Sequence, residues 1–162
     1  MLRMVPLIVL AGALMLPNLP SARAEEPGET HKPTEAYAPG LGDFMTAYVQ
    51  PHHIKLWLAG SVKNWALAEY EANELRETFE DIVTYQGNWH DYSVAKLVET
   101  VLTPPLGEVD QAIREKNAAG FAKAFDGLTA ACDTCHQAVA HPFLVIKTPS
   151  ADAFPDQDFA LR

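Results

Sequence analysis

The sequence predicts an all-α fold: an antiparallel four-helix bundle with a kinked first helix and a short extended strap near the C-terminus. Three observations predict it. Apolar residues recur at spacings of three and four from Leu41 to Val139, the period of helices with one buried face. No stretch of useful length alternates apolar with polar residues as a half-buried strand would. The breaks between periodic stretches are short, which favours antiparallel neighbours.

The first 40 residues precede that pattern. The chain opens with MLRM, the apolar run VPLIVLAGALML and then SARA. A basic start, a short apolar centre and Ala22 and Ala24 in an A-x-A arrangement predict a secretory signal peptide over residues 1–24. The apolar run falls short of the roughly 20 residues a spanning helix needs, so no membrane span is expected after cleavage. Residues 25–40, EEPGETHKPTEAYAPG, are rich in Pro, Gly and charge and predict a flexible leader.

The helical part is expected over residues 41–147. In the first helix Phe44, Met45, Tyr48, Val49, His52, Leu56 and Ala59 are spaced as one face. Pro51 lies inside this run and predicts a kink or a restart; Gly60 predicts a stop. In the second, Ser61 is the expected N-cap. Trp65, Ala68, Ala72, Leu75, Phe79, Ile82 and Val83 form the stripe, and Glu69, Glu74, Glu77 and Glu80 the solvated face. YQGNWHDYS is expected as a loop. A short helix with Val94, Leu97, Val98, Val101 and Leu102 inside follows. Thr103 as cap and Pro104 at the first position then predict a restarted helix with Leu106, Val109 and Ile113 inward. The last long helix carries Phe121, Phe125, Leu128, Cys132, Cys135, His136 and Val139 along one side, and Pro142 ends it. FLVI is expected to lie across the bundle as a strap. Residues 148–162, polar and acidic, are expected to fray.

The chain has two cysteines, and they stand three apart in AACDTCHQAVAHP with His136 directly after the second. A redox disulfide of the thioredoxin kind belongs at a helix N-terminus beside a β-sheet, whereas this pair lies late in a helix with no strands predicted. A structural zinc needs four ligands, and neither a second C-x-x-C nor an H-x-x-x-H is present. C-x-x-C-H is the attachment motif of c-type haem. Thiols three apart on a helix share a face and can both reach the two vinyl groups of one macrocycle. His136, four residues after Cys132, shares that face and can offer a neutral imidazole to the iron. Attachment occurs outside the cytoplasm in bacteria, and the predicted signal peptide supplies the export. One covalent haem c per chain is therefore expected, with Cys132 and Cys135 as anchors and His136 as proximal ligand.

The formal net charge of −9 argues against nucleic acid and anionic lipid as partners and admits docking to a basic redox protein. Arg3 and Arg23 leave with the signal, so the mature chain is more acidic still.

A helical bundle with CDTCH in its last helix resembles the cytochrome c-prime family, exported bacterial haem proteins built on four helices. The resemblance covers roughly residues 41–141. It implies thioether links at Cys132 and Cys135, a proximal His136, a periplasmic location and a distal haem face covered by the first helix. Such bundles often pair through their first two helices, which leaves a homodimer open. The family often has an aromatic and then a basic residue at the third and fourth positions after the histidine. Here those positions are Val139 and Ala140, so gas chemistry that relies on the basic group is not expected.

The distal side offers three candidate iron ligands, of which one at most can serve: Met45, His52 and His53. Met45 and His52 are seven apart on one stripe; His53 lies about 100° further round unless the helix is rephased near Pro51. Against these roles, Met45 is an ordinary core residue type and either His an ordinary hydrogen-bonding one. Trp57, Trp65 and Trp89 are expected as packing residues, and His141 as a helix C-cap. The expected function is periplasmic electron transfer by a monohaem cytochrome, not enzymatic catalysis, since no acid, base or nucleophile constellation is present. The alternative is a five-coordinate haem protein that binds or senses small gases such as NO or CO. A third reading is a haem-free helical interaction protein with an incidental C-x-x-C-H.

Overall fold

The computed structural model describes residues 37–160. The expected signal peptide and most of the expected leader lie outside the described residues. The fold is all-α apart from one very short hairpin. Helix α1 covers residues 41–61 and is built from Leu41–Phe44, a wider turn over Met45–Val49 and the segment Gln50–Ser61. Helix α2 is Trp65–Gln86. Strands β1 (Asn88–Trp89) and β2 (Tyr92–Ser93) pair antiparallel. Helix α3 covers residues 94–114, and α4 is Ala118–Ala138. α1 packs along α2 and α3 along α4, and the pairs meet through α2 with α3 and α1 with α4.

Both α1 and α3 contain a π-turn, and each π-turn is followed two residues on by a proline. In α1 the Gln50 amide donates to the Met45 carbonyl, five residues back, and Pro51 follows. In α3 the Thr103 amide donates to Val98, and Pro104 follows. A proline has no N–H and its ring crowds the carbonyl one turn earlier. A wider turn relieves that crowding and keeps the rod continuous. The restart expected at Thr103 is therefore absent. Thr103 is helical, and its hydroxyl donates back to the Val98 carbonyl at 3.0 Å instead of capping.

The two helix–helix turns use one device. α1 ends with Lys63 at φ 63° and α3 with Lys116 at φ 53°. In each, the left-handed residue and the Asn after it close back on the last helical turn: Lys63 to Gly60 and Asn64 to Ala59, Lys116 to Ile113 and Asn117 to Ala112. This is the Schellman pattern, with Lys where glycine is commoner. Each Asn then caps the next helix, Asn64 for Leu67 and Asn117 for Gly120. The expected cap, Ser61, instead ends α1. Gly60 is not a stop but a contact: a Cβ there would overlap the Phe121 ring, so glycine lets α1 and α4 approach closely.

The core is one cluster. Leu56, Leu75, Ile82, Phe121, Phe125 and Leu128 are its fully buried large residues, each stabilising by about 1.5–3 kcal/mol. The tryptophans pack as expected: Trp57 lies against Phe121 and Phe125, Trp65 meets Phe121 edge-on, and Trp89 stands beside His141. Arg76 on α2 pairs with Asp110 on α3. Tyr48, expected inside, is 45% exposed.

The described part of the C-terminal segment, to residue 160, is docked on the bundle. The Asn64 side-chain amide donates to the Phe159 carbonyl at 3.1 Å, and the Phe159 ring is buried. Lys55 sits over the Phe154 ring at 4.8 Å. Two aromatic residues in an otherwise polar stretch supply the burial that holds it down.

Candidate functional site

α4 carries the C-x-x-C-H motif through its final turns and then stops by the same Schellman closure. Ala140 is left-handed at φ 59°, its amide donates to Gln137, and the His141 amide donates to His136 at 2.7 Å. His141 also caps through its ring, with Nδ1 donating to the Val139 carbonyl at 2.8 Å.

The chain then reverses along α4 as an irregular strap. Three side chains on α4 hold it, in order backwards along the helix. His136 Nδ1 meets the Leu144 carbonyl at 3.1 Å, Asp133 accepts from the Ile146 amide at 2.7 Å, and Asp126 accepts from the Thr148 hydroxyl at 2.7 Å. FLVI begins in a turn, with the Leu144 amide donating to the His141 carbonyl, and then runs irregularly, held by polar anchors that its apolar sequence did not signal.

Between α1, α4 and the strap lies a cavity of about 590 Å³, within the range of cofactor sites. α1 contributes Met45, Val49, His53 and Ile54. α4 contributes Cys132, Cys135 and His136; the strap contributes residues 143–147, 149–151 and 153; and Phe79 and Leu102 close the inner side. The wall is predominantly apolar and suits a largely apolar group.

Cys132 and Cys135 are free thiols, half-buried and buried. Burial is the main cause that pushes the Cys132 thiol up to about 12, and it raises Cys135 as well. Such neutral thiols differ from the low-pKa thiolate of a redox dithiol. Among the described residues no group of three or more His, Cys, Asp or Glu is arranged to hold a metal ion.

The ring of His136 has a defined tautomer. A carbonyl oxygen can only accept, so Nδ1 carries a proton toward Leu144, and in the neutral ring the lone pair is on Nε2. The three distal candidates separate. Met45 and His53 line the cavity; His52 does not. His52 turns to α2, where Nδ1 lies 2.8 Å from Glu71, a buried carboxylate. The π-turn is the reason. It inserts one residue into α1, so the position one heptad beyond Met45 is taken by the eighth residue on, His53, not the seventh, His52. His53 is buried, and burial lowers its pKa to about 4, so it is neutral at ordinary pH.

Thr129 is the site residue that sequence reasoning passed over: a buried hydroxyl 3.0 Å from His53 Nε2. Its signal was a polar residue on the apolar stripe of α4. Among the described residues no helix is long and apolar enough to cross a membrane. The chain matches no protein-family model, no curated protein and no solved structure.

Proposed function

We propose that this protein is an exported monohaem c-type cytochrome, similar to the cytochrome c-prime family, that carries electrons between partner proteins. In this reading the four helices form an antiparallel bundle, the signal peptide over residues 1–24 directs the chain to the periplasm, and one haem c is attached. The observation that carries it is the convergence of Cys132, Cys135 and His136 on one apolar cavity of about 590 Å³.

The residues fit the group. Cys132 and Cys135 would anchor it by thioether bonds from one helix face, and both are free thiols at the cavity wall. His136 would be the proximal ligand through Nε2, the nitrogen left bare when Nδ1 donates to Leu144. A second bond that fixes the ring and its tautomer is the usual support of a metal-ligating histidine. When bound, the haem supplies a reversible one-electron iron couple. The chain's part is to hold and orient it and to keep water away. Val49, Ile54, Phe79 and Leu102 exclude solvent on the inner side, and Phe143 to Ile146 cover the outer side. The acidic balance, −9 for the full sequence and more negative once Arg3 and Arg23 leave with the signal, suits a basic redox partner.

The test is an absorption spectrum of the chain matured with a c-type cytochrome assembly system, oxidised and reduced, with and without carbon monoxide. A low-spin spectrum that ignores carbon monoxide supports electron carriage. A high-spin spectrum that shifts with carbon monoxide transfers the proposal to gas binding.

A further inference from the structure

We infer that His53 is the second axial ligand, so that the site takes a haem iron held between two histidines, with Met45 only as wall. This rests on the haem reading above and names the ligand that reading leaves open.

The argument is proton counting. The Thr129 hydroxyl has one proton, and it donates that proton to the Phe125 carbonyl at 2.9 Å. At its other contact, 3.0 Å from His53 Nε2, the same oxygen can only accept. His53 Nε2 therefore carries the ring proton, and Nδ1 holds a free lone pair. Among the described residues Nδ1 has no hydrogen-bond partner. Yet among the described residues no fully buried side-chain nitrogen or oxygen lacks one, so Nδ1 borders open space. His53 is itself a buried residue whose open side is the cavity.

The two histidines of the cavity are therefore built alike. Each gives its one N–H to a protein oxygen, His136 to Leu144 and His53 to Thr129, and each keeps one nitrogen bare. That is the arrangement that orients an imidazole toward a metal. The Phe125 ring, 4.5 Å from the His53 ring, further restricts its rotation. Met45 has no such support: it lines the cavity half-buried on a flexible thioether. His52 is committed to Glu71.

The test uses the matured, haem-loaded chain and reads spin state and ligand type, not activity. Wild type should be low-spin, without the long-wavelength charge-transfer band of a methionine–iron bond and with the magnetic resonance signature of two imidazoles. His53→Ala should turn the ferric protein high-spin and open the ferrous protein to carbon monoxide, and added imidazole should restore the low-spin form. Met45→Leu and His52→Gln should both remain low-spin. A high-spin wild type, a methionine band in wild type, or low-spin spectra from His53→Ala without imidazole would each overturn the assignment. If His53→Ala fails to fold, a wild type with two imidazoles together with a low-spin His52→Gln still supports the inference, and a wild type without two imidazoles overturns it. A wild type with haem but without two imidazoles defeats only this inference, whereas a wild type with no covalent haem defeats the haem reading itself.

Discussion

The two long walls of the cavity are made in different ways. The α1 wall is a helix whose back is core, with Leu56 and Ala59 fully buried behind the cavity-lining positions. The strap wall has no regular structure, and its outer residues Phe143 and Val145 are 72% and 73% exposed. Apolar area fixes the first. The second hangs on polar bonds from Asp126, Asp133 and His136. Segments with few buried contacts open at lower free energy than core helices. The wall that presents His53 is thus the rigid one, and the wall that covers His136 is the one that can yield.

Substitutions should expose this contrast. The largest effect is expected at Leu56. Leu56→Ala empties a fully buried position and should cost about 2–5 kcal/mol in denaturant unfolding. Its counterpart on the strap, Phe143→Ala, should stay within about 0.5 kcal/mol. Gly60→Ala comes next: a Cβ against the Phe121 ring should cost about 1–3 kcal/mol as α1 is pushed from α4. Equal stabilities for Leu56→Ala and Phe143→Ala would remove the distinction between the walls.

A smaller, local effect is expected from Asp133→Ala. Loss of the bond to the Ile146 amide should cost about 1–2 kcal/mol. It should appear as faster amide exchange from Leu144 to Thr148, with α1 amides unchanged. The smallest effect has the opposite sign. Ala140 is left-handed at φ 59°, where glycine is unstrained. Ala140→Gly should therefore stabilise by up to about 1 kcal/mol, measurable as a raised melting temperature. Destabilisation there would mean that the closing turn of α4 is not under strain.

Much of the fold was legible from periodicity. Of the five apolar stretches, the first, second and last correspond to α1, α2 and α4, and the two between them run on through a π-turn as α3. The errors share a cause: local signals that act by position, not by hydrophobicity. The π-turn before Pro51 moves every later residue of α1 by one, and so exchanges the roles of His52 and His53. Lys63–Asn64 and Lys116–Asn117 look like solvated polar pairs, yet they end one helix and cap the next. Asp126 and Asp133 look like ordinary surface acids, and only the returning chain turns them into anchors. Phe154 and Phe159 were the sign that an acidic tail would dock. The spacing singled out the two cysteines and His136, and the structure places all three on the wall of one cavity. Thr129 was not singled out, because its meaning depends on a ring from another helix 76 positions earlier.

The central claim is that this cavity holds a covalently attached haem. The most direct test is the intact mass of the matured chain after acid–organic extraction, which removes any haem held by coordination alone. A mass equal to the processed chain plus one haem, lost in the Cys132→Ala, Cys135→Ala double variant, is the predicted result. A chain that emerges with no added mass, or one that keeps it without the two cysteines, would contradict the account.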